Sequence, residues 1–268
     1  MTRKLLKLLY THCSLLATGF SLLIAHCSLL ATGFSLLIAH CSLLAIVSAE
    51  SVTKEGYRND YLPPSIIPRH EMDKAENWIA IFEHERRDEW QEPDKVIENM
   101  NLKEGDVVAD IGAGSGYFTR RFAKVVGPAG KAYGVDIEPE LVKYMEGDAR
   151  RLNLANYMPK LSTMADSGLQ YNSVDVVFIC LTYHHIEDRI NYMNNLKKVL
   201  KKGGRVIIVA FYKKKMDFGP PPDNKISEEV TIEEMKEAGY RLTRRLDFLR
   251  YQYFLEFESA TNYSEGNK

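Results

Sequence analysis

The sequence predicts an α/β fold: a doubly wound, mostly parallel seven-stranded sheet with an antiparallel strand near the C-terminus. Three observations lead there. From Val107 onward, short apolar runs alternate with amphipathic stretches of helical period, the pattern of strands and helices in a sheet covered on both faces. The runs "VVADIG", "KAYGVDI", "VDVVFICL" and "RVIIVAFY" are apolar almost throughout, as parallel strands buried on two sides must be. The chain then ends on two strand-like runs in succession, "YRLTRRLDFL" and "YQYFLEFES", joined by a short turn near Arg250. Such a hairpin sets one strand antiparallel to the rest.

Taken in order, the body opens with "YLPPSIIPRH", whose prolines read as a linker over residues 50–70. A helix is expected from Glu71 to Trp90, with Trp78, Ile81, Phe82 and Glu85 at helical spacing, stopped by Pro93. Pro93 then opens a second helix to Met100, at a position where proline is tolerated. The strand "VVADIG" leads to the helix "YFTRRFAKVV", and "KAYGVDI" to "PELVKYMEGDARRLNL". A weaker strand lies near "PKLSTMAD", before "VDVVFICL". The helix "NYMNNLKKVL", a turn at "KKGG" and the strand "RVIIVAFY" follow. In "TIEEMKEAGY", Thr231 with Glu234 three residues later has the form of a capping box. The folded domain is therefore expected over residues 71–258, with a polar tail at 259–268.

Hydrophobic residues make up 45% of the chain and charged residues 26%, an ordinary globular balance. The net charge of −1 includes Arg3, Lys4 and Lys7 in the first 49 residues, so the body is mildly acidic. That speaks against a nucleic-acid binder, which would carry a basic excess. Cys13, Cys27 and Cys41 occupy equivalent places in a repeat, leaving Cys180 alone in the body, without a pair for a disulfide or for zinc.

The repeat is "HCSLLATGFSLLIA", present twice from His12 and begun a third time up to Ala45. It lies between a positive start, "MTRKLLK", and "VSA" before Glu50. This is the order of a secretory signal, but its apolar part is longer than the usual ~7–15 residues. Removing two repeat units leaves "MTRKLLKLLYTHCSLLAIVSAE", a signal of ordinary proportions, so a short signal lengthened by duplication is inferred. Residues 1–49 are thus a cleaved signal or a membrane anchor, with a membrane segment within residues 8–48. The body is then exported, or faces the cytoplasm if the segment folds into a hairpin. A lipoprotein site at Cys27 or Cys41 fits less well, because histidine precedes each cysteine.

The residues that carry chemistry centre on "VVADIGAGSGYFTRRFA". Gly112, Gly114 and Gly116 make a tight loop between strand and helix, with Asp110 two residues before the first. In an open α/β sheet, ligands sit at the carboxyl ends of the strands, where strand order reverses. A dinucleotide loop has the spacing GxGxxG; here it is GxGxG, and an acid beside it disfavours a pyrophosphate. It suits a ligand carrying an amino group, such as the methionine part of S-adenosylmethionine.

On "DIGAGSG", "AYGVDIEPE", "MADS", "VDVVFICLTYHHI" and "LKKVLKKGGRVIIV", residues 75–258 resemble the class I S-adenosylmethionine-dependent methyltransferases. The resemblance extends to small bacterial members through "DEWQEPDKV" and "GPPP". It implies a Rossmann-like sheet, S-adenosylmethionine as cofactor, and a cofactor site of Asp110, Gly112, Ala113, Gly114, Gly116, Asp136, Ile137, Asp166, Cys180 and Leu181. In it Asp136 meets the ribose hydroxyls, Ile137 packs on adenine, Asp166 meets the adenine amino group, and Cys180 and Leu181 line the methionine end. Lys202 stands where the family usually has proline.

The acceptor is less defined. Methyl transfer rests largely on positioning, and a base is needed only where the acceptor loses a proton; His184 or His185, with Tyr183 as a further candidate, stand where one could act. Trp90, Tyr117, Phe211, Tyr212 and Asp217–Pro222 are candidates for the acceptor pocket. "LTYH" takes the place of an "NPPY"-like sequence, which disfavours methylation of DNA bases, and no metal-ligand cluster or RNA-binding domain appears. A small-molecule or lipid-like acceptor is expected, with no nucleic-acid partner. The alternatives are a cofactor-binding protein without transfer activity and an aminopropyl transferase on the same fold. Asp175, at the start of its strand, is expected to be structural.

Overall fold

The computed structural model describes residues 75–260. The signal or anchor expected over residues 1–49, the linker at 50–70, the helix start at Glu71 and nearly all of the polar tail lie outside the described residues. Among the described residues, no helix is long and apolar enough to cross a membrane.

Seven strands form one sheet: β1 (Val107–Ile111), β2 (Lys131–Asp136), β3 (Tyr157–Leu161), β4 (Val174–Cys180), β5 (Leu200–Phe211), β6 (Tyr240–Leu246) and β7 (Gln252–Ser259), in the order β3-β2-β1-β4-β5-β7-β6. The first five are parallel, and β7 runs antiparallel to both β5 and β6. Strand order reverses between β1 and β4, so a crevice opens at their carboxyl ends.

The continuous apolar runs divide by alternate residues between two cores. From β4 and β5, Val177, Ile179, Val206, Ile208 and Ala210 face one side. Val176, Phe178, Cys180, Ile207 and Val209 face the other. Each face is covered by helices, which is why the central positions of these strands, 176–180 and 206–211, are all apolar.

The helices are α1 (Ala75–Phe82), α2 (Arg87–Gln91), α3 (Pro93–Met100), α4 (Thr119–Val126), α5 (Pro139–Leu152), α6 (Arg189–Leu196) and α7 (Glu228–Glu237). Prolines open α3 and α5. Asn101 and Asn153 end them in the left-handed conformation, with φ of 49° and 54°.

Three expectations need correction. The turn expected at "KKGG" lies within β5, whose register against β4 shifts between Val174 and Val176. The single helix from Glu71 to Trp90 is broken at residues 83–86. Arg87 turns back to donate from Nη1 to the Phe82 carbonyl at 2.8 Å, satisfying a carbonyl at the end of α1. Glu83, four residues before Arg87 and a natural helical partner for it, instead takes a bidentate bond from Arg120 at 2.6 and 2.7 Å. The cap of α7 is Ser227, whose hydroxyl accepts the Val230 N–H, not Thr231. Thr231 lies within the helix, bonded to the Ser227 carbonyl at 3.1 Å and to the Tyr253 hydroxyl at 2.9 Å. Asp175 is structural, as expected: its carboxylate accepts the Val107 N–H at 2.8 Å and Lys201 Nζ at 2.7 Å.

Candidate active site

A cleft of about 1480 Å³ lies over the carboxyl ends of β1, β2 and β4. Its floor is the glycine loop after β1. The Gly112 and Ala113 N–H groups donate to the Val135 carbonyl at 2.8 and 3.1 Å, tying the loop to β2. Gly112 has φ of 68°, and a β-carbon there would run into the Thr182 side chain. At Gly116, φ is 78° and a β-carbon would fall on the Tyr157 hydroxyl. Only glycine meets both demands, a left-handed backbone and no side chain.

Asp136 ends β2, buried at the rim. Its Oδ2 accepts the Gly114 N–H at 2.8 Å and its Oδ1 the Glu138 N–H at 3.0 Å. Next to it Ile137 is 42% exposed, an apolar face left open to the cleft. Ser162, Thr163 and Met164 continue the rim past β3.

At the other end, Cys180 and Leu181 close β4, and His184 and His185 follow in a 3-10 turn. Burial pushes the Cys180 thiol up to about 12, so it is not a thiolate nucleophile. The two imidazoles lie 3.9 Å apart between centroids. Burial, with the neighbouring His185 and Arg189 charges, lowers His184 to about 4, and burial also lowers His185. Both are therefore neutral near pH 7, and the lowering makes each a weaker base than a free imidazole.

The outer wall is apolar: Trp90, Phe211, Pro220 and Pro221 line it. Trp90 packs on Phe211 and Phe218 with centroids 5.6 and 5.4 Å apart. Behind it, Gln91 is fully buried; its Nε2 donates to Gln252 Oε1 at 2.8 Å, and its Oε1 receives the Cys180 thiol at 3.7 Å.

Of the residues expected from the sequence, Gly112, Ala113, Gly114, Asp136, Ile137, Cys180, Leu181, His184 and His185 line this one cleft. Asp110, Gly116 and Asp166 do not. Asp110 lies beneath the loop, accepting the Thr119 hydroxyl at 2.7 Å. Asp166 is exposed, its Oδ1 accepting the Gly168 N–H at 2.9 Å in a local turn. Tyr183 donates to Glu234 at 2.9 Å, outside the cleft. Tyr117 is held between Arg87 and Arg121, 3.8 and 4.1 Å from its centroid, and Tyr212 also stands apart.

Arg87, Phe82, Trp78 and Thr182 line the cleft without having been expected to. The only sequence signal for Arg87 was its place in "DEWQ"-adjacent charge, which reads as a solvated helix face.

The residues fit S-adenosylmethionine. The glycine cradle would be filled by β-carbons, an acid stands at the end of β2, and an apolar side chain beside it is open to a ring. The electrostatics add a pH dependence. Burial raises Asp110 to about 7, against lowering by Thr119 and Arg87. Between about 4 and 7 the folded protein then holds a proton that the unfolded chain releases, so this group's contribution to stability falls as pH rises through that window. Asp110→Asn removes the titration. Thermal melts at pH 5 and pH 8 should show the variant gaining on the wild type at the higher pH; an equal difference at both would refute the shift.

Comparison with known proteins gives the same identity for the domain. A family model described as "Methyltransferase domain" matches residues 102–244. A "Ubiquinone/menaquinone biosynthesis C-methyltransferase UbiE" of Ectopseudomonas mendocina (strain ymp) is 28% identical over 157 residues, covering 58% of this chain and 60% of that protein. A "Demethylmenaquinone methyltransferase" of Staphylococcus carnosus (strain TM300) is 27% identical over 135 residues, covering 50% of this chain and 53% of that one. The chain thus spans little more than half the length of these relatives. The crystal structure of a SAM dependent methyltransferase from Aquifex aeolicus superposes with a TM-score of 0.66 at 29% identity, covering 69% of this chain and 97% of that one.

Proposed function

Because the chain belongs to the S-adenosylmethionine-dependent methyltransferase family, we propose that it methylates an apolar, ring-bearing small molecule of the quinone-precursor type. The observation that carries the acceptor class is the aromatic wall. Trp90 and Phe211, largely buried, line the cleft with Pro220 and Pro221, next to two neutral histidines. The relatives named for ubiquinone, menaquinone and demethylmenaquinone support the same class.

When bound, the cofactor supplies a methyl group already activated on a sulfonium. The chain's residues supply position, dryness and a proton acceptor. Asp136 and Ile137 offer a carboxylate and an apolar face at the β2 end, and the glycine loop lets the backbone approach closely. Trp90 and Phe211 stack against a ring and exclude water from the reacting end. Methylation of a ring carbon or hydroxyl releases a proton, and His184 or His185 accepts it as the neutral imidazole.

The experiment is label transfer from S-adenosyl-[methyl]-methionine to a short-chain demethylmenaquinol, with membrane and soluble cell extracts in parallel. Label in the quinol or the membrane lipids is expected. Transfer confined to the soluble extract would overturn the acceptor class. On the same assay, the double substitution of His184 and His185 to Ala should lower kcat by about 10²-fold or more, with cofactor affinity unchanged. Full turnover would remove the histidines from the proton transfer.

A further inference from the structure

Among the described residues, Arg87 is the only lysine or arginine that lines the cleft, and it is only 9% exposed. Its neighbours in the chain fold are paired: Arg120 with Glu83 and Asp148, Arg121 with Asp88. Arg87 has no such partner. Nη1 donates to the Phe82 carbonyl, Nε has no hydrogen-bond partner, and no carboxylate oxygen among the described residues lies within 4.0 Å. The Tyr117 ring 3.8 Å away offsets part of the charge. A desolvated guanidinium without an anion is nonetheless costly, and removing its charge by titration is not open to arginine.

Its position narrows what the anion is. The field of Arg87 acts on Asp110 at the end of β1 and on Cys180 at the end of β4. It therefore stands near the strand-order reversal, beside Phe82 and Tyr117. A buried guanidinium on the cleft lining, with no carboxylate of its own, suits a ligand carboxylate, which its planar fork can take bidentately.

We propose that Arg87 is the carboxylate-binding residue of the cleft, its planar fork taking the carboxylate of the cofactor's methionine moiety. This rests on the methyltransferase reading above. A carboxylate on the acceptor is the other source of the same chemistry, and the test separates the two.

The full-length protein is titrated by calorimetry with S-adenosylhomocysteine and with 5′-methylthioadenosine, which shares the adenosine and sulfur but has no amino-acid end. Arg87→Met should bind S-adenosylhomocysteine about 10- to 100-fold more weakly, the loss of a charge-assisted pair. 5′-Methylthioadenosine should change by less than threefold, which also shows that the variant is folded. Arg87→Lys, keeping the charge without the fork, should fall between. If S-adenosylhomocysteine binding is unchanged, benzoate is titrated into the S-adenosylhomocysteine-saturated proteins; binding to the wild type and none to Arg87→Met assigns the residue to an acceptor carboxylate. The proposal is overturned if Arg87→Met matches the wild type for both S-adenosylhomocysteine and benzoate, or if 5′-methylthioadenosine weakens as much as S-adenosylhomocysteine. A wild type that binds neither nucleoside overturns the methyltransferase reading itself.

Discussion

Replacement of Asp136 by Ala should weaken S-adenosylhomocysteine binding by about 10²-fold or more. The carboxylate is buried at the end of β2 and has two jobs. It holds the Gly114 and Glu138 N–H groups at 2.8 and 3.0 Å, and it lines the cleft beside Ile137 as the candidate for the cofactor's ribose hydroxyls. Hydrogen bonds to a charged group are worth about 1.5–3 kcal/mol each, so losing the ligand contacts and the loop anchor together gives the stated loss. Asp136→Asn keeps one acceptor oxygen and should lose less. Calorimetric titration checks both. A dissociation constant for Asp136→Ala within threefold of the wild type would end the assignment.

The largest effect on stability is expected at Arg120. Its guanidinium bonds both oxygens of Glu83, donates to the Ser115 carbonyl at 2.9 Å and lies 2.8 Å from Asp148, which is almost wholly buried. It joins the end of α1 to the glycine loop, α4 and α5. Removing one partner of a buried pair leaves uncompensated charge and costs about 3–5 kcal/mol. For a domain of this size, Arg120→Ala should therefore lower Tm by about 6–20 °C. The exposed pair Arg150–Glu146, at 4.0 Å, provides the contrast. Arg150→Ala should cost less than about 1 kcal/mol. Burial alone would raise Glu83, but the bidentate bond and the charge of Arg120 hold it below the ordinary carboxylate range. The stability that it contributes is thus present above the usual carboxylate pKa and lost as pH falls through the lowered value. Equal melting of Arg120→Ala and wild type would show that the network carries no stability.

Much of the site could be read in the chain because its determinants are local. Gly112, Gly114 and Gly116 are required by backbone angles and close approach within one loop. Asp136 and Ile137 follow from their place at the end of a recognisable strand, and Cys180, His184 and His185 from theirs. Asp166 is equally local but is not among the residues lining the cleft. Its Oδ1 accepts the Gly168 N–H two residues on, a local bond that aspartate in a turn commonly makes. The cap of α7 shifted from Thr231 to Ser227 for a related reason. Two hydroxyl residues stood four apart, and Thr231 was drawn inward to Tyr253 on β7.

The sequence by itself determined the strand and helix alternation, the parallel sheet with its late antiparallel strand, and the glycine loop with an acid on the next strand. These depend on periodicity and on backbone demands that neighbours along the chain impose. Only the tertiary structure decided which charges are neutralised. Glu83 and Arg87 have helical spacing for each other, yet Glu83 is taken by Arg120, 37 residues away, and Arg87 is left facing the cleft. Gln91 finds Gln252 across 161 residues. Partner choice among like side chains depends on distances that folding creates, and the order of residues along a chain does not contain them.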